Sequence, residues 1–120
     1  MFLERFFPRN DAVSVQSAHA LNEQGALIVD VREPHEFVTG TAPGAVNIPL
    51  GRIVDQGIDA LRMLAPIDDD SVPVLMLCRS GARSGDACDI LKPALGQRVH
   101  NITGGMLAWR SHGLPVANPT

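Results

Sequence analysis

Two short, nearly continuous apolar segments stand out along the chain, at residues 26–31 and 72–77. Runs of this length without polar alternation are typical of strands in a parallel sheet that is covered on both faces. Shorter apolar segments at residues 45–48, 99–102 and 12–15 predict three further strands, of which the last has the weakest pattern.

Helical patterns separate the predicted strands, and this alternation indicates an open α/β sheet. Apolar residues recur at helical spacing over residues 53–65, which predicts one helix there. Proline lacks the N–H that a helix interior needs, so Pro93 predicts that the helix after residue 84 ends or kinks near Leu91. The other predicted helices are residues 17–22 (capped by Ser17), 34–38 and 105–113.

Cys78 follows the second apolar run directly, so it stands at the carboxyl end of the sheet, where open α/β sheets bind ligands. In the loop that follows, Gly81 permits a tight turn whose N–H groups converge on an anion, next to a helix N-terminus. Arg79 and Arg83 add two positive charges. These features favour the thiolate, the reactive form of cysteine, over the alternative of a small buried hydrophobic residue.

Composition and charge narrow the classes of function. The chain has 120 residues, 45% hydrophobic and 19% charged, as expected for one globular domain. A net charge of -3 gives no overall attraction for nucleic acid or an anionic membrane. No signal peptide or membrane span is recognisable, so a cytoplasmic protein is expected. Two cysteines without zinc-like spacing predict free thiols and no metal site.

Four groups of residues carry a family resemblance that runs from about Val13 to Pro115. They are Asp30, Val31, Arg32, Glu33 and Glu36; Gly40 with residues 43–49; the loop 78–84; and residues 104–109 with 113–115. In this order and spacing the chain resembles the rhodanese family of sulfurtransferases, in its single-domain form. The resemblance implies one rhodanese-like domain over residues 1–120, with an N-terminal extension (1–11) and a C-terminal tail (116–120). The implied fold is a three-layer α/β/α architecture with a central parallel sheet of about five strands.

The resemblance also implies a reaction. The Cys78 thiolate would take sulfur from a small anionic donor such as thiosulfate, and the persulfide would pass it to cyanide, a thiol or a protein acceptor, without a cofactor. We predict that the backbone N–H groups of Arg79, Ser80, Gly81, Ala82 and Arg83 bind the anion, and that the two arginines steer the donor. No nucleic-acid or membrane partner is expected.

Two other functions remain open. Cysteine phosphatases typically place about five residues between the cysteine and the arginine. Here four residues separate Cys78 from Arg83, and Leu77 stands where many phosphatases carry histidine, which favours sulfur transfer over phosphatase or arsenate reductase activity. The third interpretation is a non-catalytic binding module. Such modules often lack the nucleophile, which this chain retains.

Several residues are predicted to support the site. Asp30 and Arg32 match family positions that tie a strand end to neighbouring loops, and Ser84 supports the nucleophile loop. Glu36 either joins the Asp30–Arg32 pair or faces solvent.

Two features mark this chain within the family. Thr41 and Ala42 replace a histidine and an isoleucine that family members often carry, which is expected to affect packing and acceptor choice. Cys88 is predicted on the inward face of its helix, where a resolving role toward the Cys78 persulfide is disfavoured.

Overall fold

Residues 12–119 are described by the structure, which is a computed structural model. This part of the chain forms five strands and six α-helices. The strands are β1 (Ala12–Val13), β2 (Leu27–Asp30), β3 (Val46–Asn47), β4 (Val74–Leu77) and β5 (Val99–Ile102). The helices are α1 (Val15–Glu23), α2 (Pro34–Phe37), α3 (Leu50–Gln56), α4 (Ile58–Leu64), α5 (Ala82–Leu95) and α6 (Gly105–Ser111), and a 3-10 turn over Gly96–Arg98 joins α5 to β5.

The five strands form one parallel sheet in the order β1-β5-β4-β2-β3. Strand β4 lies in the middle, with Met76 beside Val29 of β2 and beside Asn101 of β5. The predicted five-strand α/β fold is confirmed. Because β4 is central, the residue that follows it is flanked by the ends of two neighbouring strands.

Alternation along the strands assigns side chains to the two faces of the sheet. In β4, Val74 and Met76 face one apolar cluster, and Leu75 and Leu77 face the other. Helices α3, α4 and α5 cover the first face, and α1 and α6 cover the second. Cys78 continues the alternation of β4 and therefore lies on the face that α5 covers.

Two predicted helices differ from those in the structure, one in where it begins and one because it is divided in two. The helix predicted to be capped by Ser17 begins earlier, because the Ser14 side chain accepts a hydrogen bond from the Ser17 N–H at 3.1 Å. The single helix predicted over residues 53–65 is two helices, because Gly57 has φ 58° and ψ -138°, a conformation open to glycine and closed to most other residues.

The prediction that Pro93 ends or kinks its helix near Leu91 was also wrong. Helix α5 continues to Leu95 with Pro93 inside its last turn. Pro93 cannot donate a helical hydrogen bond to the carbonyl of Asp89, and both residues are exposed, where the loss of this bond costs little. Leu91 and Leu95 on the opposite face are buried and hold this turn against the sheet.

The chain ends differ in what the structure describes. The predicted N-terminal extension, residues 1–11, lies outside the described residues. Part of the predicted tail belongs to the fold: Ala117 pairs with Thr41 in an antiparallel bridge, and Val116 packs against the second cluster. Between residues 12 and 119, none of the helices is long and apolar enough to span a membrane.

Candidate active site

The loop after β4 is anchored by the start of α6. The Met106 N–H donates to the Cys78 carbonyl at 2.9 Å, and the Leu107 N–H donates to the Arg79 carbonyl at 3.1 Å. Gly105 makes this approach possible, because a Cβ at this position would collide with the backbone of residues 78 and 79. Part of the closing family segment, residues 104–109, therefore contacts the Cys78 loop directly.

The Cys78 sulfur lies under its own loop, and the residue is 1% exposed. The Gly81 N–H donates to Sγ at 3.0 Å, and the Ser84 Oγ lies 3.2 Å from Sγ. Gly81 has φ 105°, which allows the chain to turn back so that this N–H points inward. The sulfur is thus surrounded by polar groups although it is buried.

These contacts decide the acidity of the thiol. Burial raises the pKa of Cys78, and the hydroxyl and backbone N–H of Ser84 lower it. The backbone N–H groups of Gly81 and Ser80 lower this pKa further, so that it lies below its usual value. A lowered pKa increases the fraction of the reactive thiolate near neutral pH.

The predicted loop residues contribute unequally to the hydrogen bonding of the Cys78 sulfur. Among the predicted anion-binding N–H groups, those of Ser80 and Gly81 act on the sulfur. Ser84, predicted only as support, contributes both its hydroxyl and its backbone N–H.

Asn101 is a site residue that the sequence analysis missed. Its side-chain Nδ2 donates to the Gly81 carbonyl at 3.0 Å, and its Oδ1 accepts from the Ser84 hydroxyl at 2.5 Å. Asn101 lies on β5, and only the pairing of β5 with β4 brings it to the loop. No spacing motif could have identified it, although it stands in the predicted strand 99–102, three residues before the family segment that begins at Gly104.

Arg83 is engaged by Glu36 rather than free. Its two terminal nitrogens donate to the two carboxylate oxygens of Glu36 at 2.6 and 2.9 Å. The hydrogen bond from Arg83 lowers the pKa of Glu36 from 4.5 to about 2. Glu36 therefore joins α2 to α5, and its predicted alternatives, a contact with the Asp30–Arg32 pair or a solvated face, give way to this ion pair.

Asp30 and Arg32 form a second, buried ion pair at the end of β2. The Arg32 Nη2 donates to Asp30 Oδ2 at 2.8 Å and to the Gly40 carbonyl at 2.7 Å. The Thr41 hydroxyl donates to the same carboxylate at 2.8 Å, so the residue that replaces the family's frequent histidine is buried in this network. The pair ties the strand end to the 40–41 segment.

An open cleft of about 370 Å³ adjoins the loop. One member of each ion pair lines the cleft, Glu36 from the first and Arg32 from the second. Arg79 and Arg110 line it as well. Within residues 12–119, Arg79 and Arg110 form no ion pair, so their charges remain uncompensated. The remaining lining residues are His35, Thr39, Met106 and Leu107.

A metal centre is not built into this region. Nowhere in the described part of the chain do three or more His, Cys, Asp or Glu side chains come together as metal ligands. The polar groups that contact the Cys78 sulfur are instead a backbone N–H and a hydroxyl, which suit an anion.

Comparison with known families agrees with this geometry. The profile of the rhodanese-like domain family matches residues 14–112. The chain belongs to the rhodanese-like family. The matched range contains strands β2 to β5, the Cys78 loop, Asn101 and the start of α6.

Two curated relatives of this rhodanese-like domain are named as sulfurtransferases. A sulfurtransferase of Allochromatium vinosum is 38% identical over 104 residues, covering 86% of this chain and 89% of the relative. The chloroplastic thiosulfate sulfurtransferase 16 of Arabidopsis thaliana is 37% identical over 109 residues, covering 88% and 91%. The chain is thus similar to rhodanese-type sulfurtransferases along most of its length.

The fold is shared with solved structures as well. A rhodanese-related protein from Thermoplasma volcanium superposes with a TM-score of 0.75 at 24% identity, covering 92% of this chain and all of that one. At this identity the likeness concerns the fold, which the predicted rhodanese-like architecture matches.

Proposed function

We propose that this rhodanese-like domain moves a sulfane sulfur from a small anionic donor, such as thiosulfate, to a thiol or cyanide acceptor through a Cys78 persulfide. One observation carries the proposal: the Cys78 sulfur receives a hydrogen bond from the Gly81 N–H at 3.0 Å and lies 3.2 Å from the Ser84 hydroxyl. A buried sulfur surrounded in this way is suited to carry negative charge.

The reaction divides into two displacements. In the first, the Cys78 thiolate attacks the outer sulfur of thiosulfate; an S–S bond forms, the bond to the sulfonate sulfur breaks, and sulfite leaves with its electron pair. In the second, the acceptor attacks the outer sulfur of the persulfide, and Cys78 leaves as a thiolate. The enzyme returns to its starting state without a redox cofactor.

Burial of Cys78 supports small donors. Since the residue is 1% exposed, the attacked atom has to enter the loop to reach Sγ. The outer sulfur of thiosulfate is a terminal atom with one bonded neighbour, which favours its entry. The N–H groups of Ser80 and Gly81 are placed to bind the charge on either the thiolate or the persulfide.

Charge near the loop supports an anionic donor. The chain carries a net charge of -3, yet Arg79 and Arg110 in the cleft are uncompensated. Arg83 was also predicted to steer the donor, but its charge is paired with that of Glu36. We therefore assign steering to Arg79 and Arg110.

Mass measurement tests the proposal. Incubation with thiosulfate should add one sulfur atom to Cys78, located by peptide mapping, and cyanide or a dithiol should remove it. Both free cysteines are compatible with a reducing cytoplasm, which is the setting we propose for this cycle.

Two outcomes would replace the proposal. Hydrolysis of an aryl phosphate in a parallel assay, without sulfur loading, would favour a phosphatase. No sulfur on Cys78 with any of several donors would favour a binding module.

A further inference from the structure

The Ser84 hydroxyl lies between two acceptors and has one proton to give. Its Oγ is 2.5 Å from Asn101 Oδ1 and 3.2 Å from Cys78 Sγ. A hydroxyl donates a single hydrogen bond at a time, so these two contacts compete for the same proton whenever Cys78 is a thiolate.

The orientation of the Asn101 carboxamide follows from its other partner. The Gly81 carbonyl only accepts, so the amide group that faces it at 3.0 Å must be the NH₂. The carbonyl oxygen of Asn101 therefore points at Ser84. The reverse orientation would bring two acceptor oxygens together at Gly81 and leave an NH₂ group facing the serine.

With Cys78 protonated, the chain of hydrogen bonds is complete. The thiol donates to Ser84 Oγ, and the Ser84 hydroxyl donates to Asn101 Oδ1. When the thiol proton leaves to solvent, the sulfur accepts and no longer donates. The Ser84 hydroxyl then has two choices. It donates to the thiolate and loses its hydrogen bond to Asn101, or it keeps donating to Asn101 and turns its lone pairs toward the negative sulfur.

We propose that Asn101 is a positioning residue that directs the Ser84 proton away from Cys78 and thereby favours the thiol over the thiolate. The proposal rests on Cys78 as the reactive thiol of the proposed function. Its physical consequence is a restraint: the loop N–H groups stabilise the thiolate, and Asn101 withholds part of the contribution of Ser84 until a substrate or the persulfide changes the contacts of the sulfur.

Other charges near Cys78 stay the same when Asn101 is changed. On β2, Asp30 is paired with Arg32. On α2 and α5, Glu36 is paired with Arg83. Arg79 is exposed in the loop itself. A shift in the titration of Cys78 caused by an Asn101 variant thus reports the hydrogen-bond chain and not a new charge.

The test is the pH dependence of Cys78 alkylation by iodoacetamide, followed by peptide mapping so that Cys88 does not interfere. In Asn101→Ala the apparent pKa of Cys78 should fall by roughly half to one pH unit, because Ser84 becomes free to donate to the thiolate. In the Ser84→Ala background the same Asn101→Ala change should produce no shift.

The double variant separates this role from a structural one. A loop merely loosened by loss of the Asn101–Gly81 hydrogen bond would shift the titration equally with and without Ser84, and that result would overturn the proposal, as would a rise or no change in the single variant. Asn101→Leu, which fills a similar volume, replaces alanine if Asn101→Ala does not fold. Alkylation needs no sulfur transfer, so failure of the sulfurtransferase assay leaves this result readable.

Discussion

Cys78 and Cys88 are both buried, at 1% and 5% exposure, and both belong to the apolar cluster under α5, yet their surroundings differ in kind. Cys78 stands before a helix, where N–H groups have no intrahelical acceptor and are free to bind an anion. Cys88 stands in the middle of α5, where N–H groups are used by the helix itself. Burial alone therefore does not make a cysteine inert or reactive; the free donors around it decide.

The largest expected effect is the loss of one cysteine but not the other. Cys78→Ser should reduce sulfur transfer from thiosulfate by at least about a thousandfold, because no persulfide can form. Cys88→Ala should keep most of the activity, since Cys88 lies inside α5 and is not part of the loop 78–84. Initial rates with cyanide as acceptor, with circular dichroism as a check of folding, measure this.

The contrast between the cysteines would fail in one specific way. If Cys88→Ala were as inactive as Cys78→Ser while still folded, Cys88 would have to act as a resolving thiol, a role that the sequence analysis disfavoured.

The next effect concerns the donors around Cys78. Ser84→Ala removes a hydroxyl that lowers the pKa of Cys78, so the apparent pKa should rise and the alkylation rate below it should fall about tenfold or less. The pH profile of alkylation of Cys78 gives this value. A matched Ser71→Ala change, in an exposed turn, should leave the profile unchanged; equal shifts in both variants would refute the role of Ser84.

Steering by charge should have a moderate effect. Arg79→Gln and Arg110→Gln should each raise the KM for thiosulfate by about two- to fivefold at low ionic strength, and added salt should reduce the difference. Arg62→Gln on α4 is the control, since it removes the same charge outside the cleft. A KM change independent of salt, or equal in the control, would contradict steering.

Local sequence patterns predicted the sheet and the position of the Cys78 loop well because each is encoded by neighbouring residues. The runs at 26–31 and 72–77 are apolar because both faces of β2 and β4 are covered, and the Cys78 loop is one continuous motif. Contacts between residues that only the assembled fold brings together could not be predicted from local patterns. Glu36 and Arg83 are 47 positions apart, and Asn101 reaches Ser84 only through strand pairing.

The helix errors have a similar origin. Pro93 was judged by local propensity, whereas burial of Leu91 and Leu95 on the other face of α5 sustains the last turn. Conversely, the periodic pattern over 53–65 gave no sign that the helix is divided in two. One glycine with a positive φ interrupts the helix without altering the spacing of the apolar residues.

The smallest expected effect lies at the edge of the site, in the ion pair that joins α2 to α5. The pKa of Glu36 is about 2 in the folded protein and 4.5 as its ordinary value, so the pair contributes stability above pH 4.5 and loses it as the pH falls toward 2. Because the Arg83 and Glu36 side chains are 36% and 23% exposed, solvent screening limits this contribution to about 1 kcal/mol or less.

Glu36→Gln should therefore be slightly less stable than the parent chain near neutral pH in urea titrations, and the difference should vanish in acid. Arg83→Gln should behave alike, and the double variant should lose little more than either single one, because both changes break the same pair. A difference that persisted at the acid end would show that Glu36 acts through packing and not through its charge.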